Sequence, residues 1–203
     1  MTDPTPIEGS GLIGSVLDVA LEPLVERGIC PHLAALLKTP DQLPSVLASF
    51  YALGARRGGW MVHRSVAGEA DADRRALSGA GLDPAALEEA GQLVIAEFDP
   101  AEPPERSTEP WERGLEEALA RGHTGLWYSR FAVGPDDEQY AGVLPFERAW
   151  EAAFHGRPVI TLCPYIVGGL AAGPALERFI TPADIHDGVL VPSGEGFALA
   201  RLD

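Results

Sequence analysis

GAGLDPAALEEAGQLVI (residues 79–95) and GLEEALARGHTGLWYS (114–129) decide the fold of this chain. In the first stretch Asp83-Pro84 opens a short helix that Gly91 closes, and LVIAEF at 93–98 follows as an apolar run of strand length. Proline costs little at the first helical position, where its missing N–H would have had no partner. In the second, a helix from Trp111 to Arg121 ends at Gly122 and leads into GLWYSRF at 125–131. Strands that are apolar throughout, alternating with helices, imply a mostly parallel sheet covered on both faces.

The same alternation extends in both directions. Leu12, Ile13, Val16, Leu17, Ala20, Leu21, Leu24 and Val25 fall at helical spacing, so 12–26 is expected to be a helix stopped by Gly28. HLAALL (32–37), WMVHRS (60–65) and PVITLCPY (158–165) read as strands. Helices are expected from Asp41 to Gly54, over 69–79, from Leu144 to Phe154 and over 174–180. GVLVP and GFALAR around SGEG predict a terminal antiparallel hairpin. Two loops rich in acid and turn residues, 99–110 and 132–142, are then left over, both leaving strands from their carboxyl ends. Open sheets of this class bind ligands beyond those ends, and loops of this length are either functional or mobile.

Length and charge narrow the function. At 203 residues the chain suits one α/β domain, with 1–29 as an arm and helix and 30–203 as the globular part. A formal net charge of −15 repels phosphate backbones and anionic lipid, so no nucleic-acid or membrane partner is expected. The first eight residues lack the basic and apolar regions of a signal peptide, and two cysteines make no disulfide framework, so a cytoplasmic location is expected. The first helix either packs on the sheet or pairs with a second copy as a homodimer.

Motifs for familiar chemistry are incomplete. The only lysine, Lys38, precedes Thr39, but no glycines stand before it to wrap a phosphate. GSGLIG (9–14) matches a dinucleotide pattern without the strand that must precede it. Cys30-Pro31-His32 invites a metal reading, but Cys30 and Cys163 are placed at opposite ends of their strands, which argues against a shared metal site and for buried thiols. His186 precedes Asp187-Gly188 and reads as a turn residue. Ser129 or Cys163 could be paired with His63 as nucleophile and base, yet no nucleophile elbow supports it. No catalytic residue, cofactor or metal is assigned.

The segments LDPAALEEAGQLVI (82–95), GLEEALARGHTGLW (114–127) and HGRPVITLCPY (155–165), in this order and spacing, resemble the MEDS domain. That sensory domain is named from methanogens, methylotrophs and the dichloromethane-responsive repressor. PHLAALLKTPDQLPSVLASFYALGARRGG (31–59) resembles the family's opening strand, helix and G-x-x-x-G turn, and the likeness spans about residues 30–192. The resemblance implies a three-layer, RecA-like or KaiC-like sheet, and sensing of small molecules, often hydrocarbon derivatives, for regulatory protein partners. The chain departs from the family in having Ser129-Arg130-Phe131 where many relatives carry an acidic residue, and Leu37-Lys38 where an aromatic is common.

The expected ligand site gathers strand-end residues: His63, Arg64, Ser65, Asp99, Tyr128, Ser129, Arg130, Cys163 and Tyr165. Aromatic walls, hydroxyls and a bidentate arginine suit a small carboxylate or phenol-like molecule. Either arginine could instead pair with one of the abundant carboxylates. The alternative functions are an enzyme or degenerate ATPase acting on a small anion in the same crevice, and a protein-interaction module without ligand.

Overall fold

Seven strands form one sheet in the order β3-β2-β4-β5-β1-β6-β7. The computed structural model describes residues 11–99, 103–134, 137–168, 185–193 and 196–201. The elements are α1 (Gly11–Glu26), β1 (His32–Leu37), a 3-10 turn (Pro40–Gln42), α2 (Leu43–Arg56), β2 (Trp60–Val66), α3 (Ala70–Gly79), α4 (Pro84–Glu89) and β3 (Leu93–Phe98). They continue with α5 (Pro104–Ala120), β4 (Leu126–Arg130), α6 (Asp137–Phe154), β5 (Val159–Ile166), β6 (Gly188–Ser193) and β7 (Gly196–Arg201). Every pairing is parallel except β6 with β7. The α/β alternation and the terminal hairpin read from the sequence are therefore both present.

The two faces bury different side chains, because successive residues of a strand point to opposite sides. Leu33, Ala35 and Leu37, Met61, Trp127, Ile160 and Leu162 pack with α1, α2 and α3 residues such as Leu17, Phe50 and Leu77. Trp60, Val62, Leu126, Tyr128 and Val159 pack with Trp111 and Leu115 of α5 and with Phe146, Trp150 and Phe154 of α6. Leu17 and Leu21 of α1 are fully buried in the first of these cores, so the helix packs within its own chain. Asp83 caps α4 as expected, its carboxylate accepting the Ala86 N–H at 3.0 Å.

Two sequence expectations need correcting. The helices placed at 111–121 and 144–154 begin earlier, at Pro104 and Asp137, so most of 99–110 and 132–142 is helical rather than loop. The misreading comes from proline: Pro110 and Pro145 look like helix starts but lie inside α5 and α6. Proline deletes one i→i−4 hydrogen bond, and a helix packed by Trp111, Leu115 and Ala118, or by Phe146, Trp150 and Phe154, outweighs that loss. The expected helix 174–180 lies outside the described residues.

Close approach of α5 to the sheet depends on Gly114. A methyl group there would press into the Trp60 indole. In an ordinary helix Gly→Ala stabilises by about 1 kcal/mol, whereas overpacking costs about 1–3 kcal/mol. Gly114→Ala is therefore expected to lower the unfolding free energy in urea titration; a more stable variant would show that α5 does not rest on Trp60.

Candidate functional site

On the α5–α6 side, the strands continue from their apolar stretches into charged and polar groups. Arg64 follows Val62, Arg130 follows Tyr128, and Thr161, Cys163 and Tyr165 follow one another on β5. β1 adds His32, whose Cα partner on β5 is Thr161. Helix α6 sets one carboxylate among them. Val143, Phe146, Trp150 and Phe154 form its apolar stripe, and Glu147 lies in the middle of that stripe, fully buried.

Glu147 divides its two oxygens. Oε1 accepts hydrogen bonds from Arg130 through both Nε (3.0 Å) and Nη2, and from the Tyr165 hydroxyl (3.1 Å). Oε2 faces His32 Nε2 at 3.1 Å, Cys163 Sγ at 3.2 Å and His186 Nε2 at 3.8 Å. His32 Nε2 is also 3.3 Å from Cys163 Sγ, and its Nδ1 is 3.0 Å from Glu151 Oε2. The Arg130 guanidinium lies 5.0 Å from the centre of the Tyr165 ring.

The charge states follow from these contacts. Burial alone would raise the Glu147 carboxyl, but Arg130 and His32 hold it well below the usual range. Burial likewise opposes a charge on His32, yet the Cys163 sulfur and hydrogen bonds to Glu147 and Glu151 keep its pKa well above that of an ordinary histidine. Burial and the Glu147 charge push the Cys163 thiol up.

Beside this hub lies a second buried cation. The Arg64 guanidinium lies between aromatic rings, 5.4 Å from the centre of Phe98 and 5.1 Å from that of Trp111. It has no ion-pair partner and its Nε no hydrogen bond among the described residues, although only 4% of the residue is exposed. Trp111 Nε1 and the Tyr128 hydroxyl are also buried without a hydrogen bond among the described residues. Trp111 and Tyr128 rings stand 6.4 Å apart, and Phe146 lies 6.4 Å from Tyr128 and 6.2 Å from Phe98. Three polar groups with open bonding capacity thus belong to one aromatic cluster against α5 and α6.

The expected site residues do not share one hollow. Arg64, Tyr128, Arg130, Cys163 and Tyr165 gather on the α5–α6 side. His63, Ser65 and Ser129 are offset by one residue, so they face α2 and α3. There Asp73 of α3 accepts from Ser65 Oγ and meets His63 Nε2 at 3.1 Å, while the Tyr51 hydroxyl lies 3.1 Å from His63 Nδ1. Ser129 donates to the Leu162 carbonyl at 2.8 Å. Asp99 is exposed, just past β3.

Sequence reading passed over Glu147, weighed His32 for a metal only beside Cys30, and gave His186 no site role. It compared Cys30 with Cys163, but Cys163 lies in the middle of β5, within reach of His32 rather than Cys30. Glutamate in an otherwise apolar helical stripe was the available signal for Glu147. His186 looked like a turn residue and is instead 5% exposed, its ring 4.1 Å from that of His32.

Comparison with known proteins follows the same lines. The family model described as "MEthanogen/methylotroph, DcmR Sensory domain" matches residues 31–178. No curated protein matches the chain. Among solved structures, the chain is similar to the KaiC-like protein PH0186 from the hyperthermophilic archaeon Pyrococcus horikoshii OT3, with a TM-score of 0.51 and 15% identity over 83% of this chain and 76% of that one. That likeness is one of fold, a RecA-like sheet.

The α2–α3 cluster generates a pH expectation. Burial alone would raise the Asp73 carboxyl, but hydrogen bonds from His63 and Ser65 hold it below the ordinary aspartate value. A carboxyl depressed in the folded state contributes stability above its unfolded pKa and loses it as pH falls through the folded one. Asp73→Asn should therefore destabilise the protein at pH 7, with the gap to the parent narrowing below about pH 4. Urea unfolding across that range checks it, and a gap independent of pH would contradict it.

Proposed function

The chain belongs to the MEDS sensory-domain family, and on that premise we propose that it senses a small organic acid bound within the aromatic cluster around Arg64. The carrying observation is the buried Arg64 guanidinium, stacked between Phe98 and Trp111 with no carboxylate partner among the described residues. A buried charge without a counter-ion is costly, and each unmade buried hydrogen bond costs about 1–3 kcal/mol. A ligand carboxylate supplies the missing charge to Arg64 and an acceptor for Trp111 Nε1 or the Tyr128 hydroxyl. Its apolar part fits against Phe98, Trp111, Tyr128 and Phe146.

Signalling follows from where the rings of this cluster originate. Phe98 ends β3, Trp111 belongs to α5 and Phe146 to α6. A ligand that favours one arrangement of these helices shifts their population toward it. The outer surfaces of α5 and α6 carry that shift to a regulatory protein partner. Among the described residues no helix is long and apolar enough to cross a membrane.

A thermal-shift panel of small aromatic and aliphatic carboxylates, run against their uncharged amides and alcohols, tests the reading. At a hundredfold excess over Kd a binding acid should add about 2.7 kcal/mol of stability, a rise of roughly 5–10 °C for a domain of this size. Arg64→Met, which keeps the apolar stem, should fold and lose the response. Equal responses to acid and amide, or an undiminished response in Arg64→Met, would refute it.

A further inference from the structure

We propose that His32, Glu147, Cys163 and His186 form a binding site for a zinc-class divalent transition-metal ion. The inference is independent of the cluster around Arg64 and does not rest on the sensory reading.

Each of the four residues offers one donor atom, and the four atoms all lie within 4.8 Å of one another in the buried interior. Three form a nearly equilateral triangle: His32 Nε2 to Glu147 Oε2 is 3.1 Å, Glu147 Oε2 to Cys163 Sγ 3.2 Å, and His32 Nε2 to Cys163 Sγ 3.3 Å. His186 Nε2 stands 3.8 Å from the shared carboxylate oxygen. Zinc takes nitrogen and oxygen at about 2.0–2.2 Å and sulfur at about 2.3 Å. A tetrahedron of those radii has edges of about 3.3–3.8 Å, so the donors already stand close to the corners an ion requires. One thiolate, two imidazoles and one carboxylate form a set that suits zinc or cobalt(II) and not magnesium or calcium, which take oxygen ligands.

The surroundings are built as outer support for such a site. Metal-bound histidines characteristically hold a carboxylate on their second ring nitrogen, and Glu151 Oε2 lies 3.0 Å from His32 Nδ1. Glu147 is oriented the same way: Arg130 and Tyr165 occupy Oε1, leaving Oε2 turned toward the other three donors. Access is present on either side of Glu151. A cleft of about 120 Å³ is lined by His32, Glu151 and Asp187, and an open one of about 390 Å³ by Arg148, Glu151 and His186. Binding would displace the Cys163 thiol proton and free His32 Nε2 as a lone-pair donor, with both protons released to solvent.

Cobalt(II) titration of the chelator-treated, full-length protein tests the site. The proposal expects one cobalt per chain, intense visible bands of tetrahedral cobalt and a near-ultraviolet sulfur-to-cobalt charge-transfer band, all removed by zinc. Cys163→Ser should lose the charge-transfer band. Because that position is buried, Glu151→Gln serves as the companion variant: its carboxylate meets His32 Nδ1 through Oε2 and the exposed His155 through Oε1 but offers no proposed metal ligand, so the variant should fold as the parent does and should weaken cobalt binding about 10- to 100-fold. No bound cobalt by direct metal analysis, weak octahedral-type bands, or a parent-like spectrum in Cys163→Ser would overturn the proposal.

Discussion

Much of this molecule is organised around one ion pair, Arg130 with Glu147, both buried and joined across the space between β4 and α6. Removing two charges from water costs several kcal/mol apiece, and their attraction compensates only when the remaining hydrogen-bond capacity is filled. Here it is filled: Tyr165 and Arg130 take one carboxylate oxygen, His32 and Cys163 approach the other, and Arg130 also donates to the Phe131 carbonyl at 3.0 Å. The pair therefore fixes more than the distance between a strand and a helix. It sets the rotation of α6 about its own axis, since only one rotation turns Glu147 inward with Phe146 and Trp150. That rotation places Phe146 beside Tyr128 and Phe98 and aims Glu147 Oε2 at His32 and His186.

Two clusters of contrasting chemistry result. Around Arg64, cation and hydrogen-bond donors stand in an aromatic setting with open capacity, which suits an organic anion. Around Glu147 Oε2, nitrogen, sulfur and oxygen donors converge on a point, which suits a metal ion. Arg130 stands between them, its guanidinium against Tyr165 and its bonds directed at Glu147. The glycine-rich cradle that would hold nucleotide phosphates is missing after β1, where Lys38-Thr39-Pro40 leads into the 3-10 turn. In this family member the interest of the RecA-like frame lies on the α5–α6 face.

The frame was legible because it rests on local signals. Apolar runs of strand length, Asp83-Pro84 at a helix start and glycines at helix ends each have a physical cause that operates within a few residues. The starts of α5 and α6 were not, because Pro110 and Pro145 carry a strong local signal that long-range packing overrides. Arg64, Tyr128, Arg130, Cys163 and Tyr165 could be singled out as polar residues near strand ends. Their separation from His63, Ser65 and Ser129 was readable in principle from the alternation of side chains along a strand, but only once the register between strands was fixed. The grouping of His32, Glu147 and His186 depends on the pairing of β1 with β5 and on the seating of α6, across more than a hundred residues for His32 with Glu147. No spacing rule within a segment carries that information.

A double-mutant cycle on the central pair measures the claim directly. Arg130→Met alone and Glu147→Leu alone should each cost about 3–5 kcal/mol of unfolding free energy, because each leaves a buried charge without its partner. The double variant, with both charges gone, should lose far less than the sum of the two. Losses that add to within about 0.5 kcal/mol would mean that the two groups do not sustain each other, and that α6 is held in place by something else.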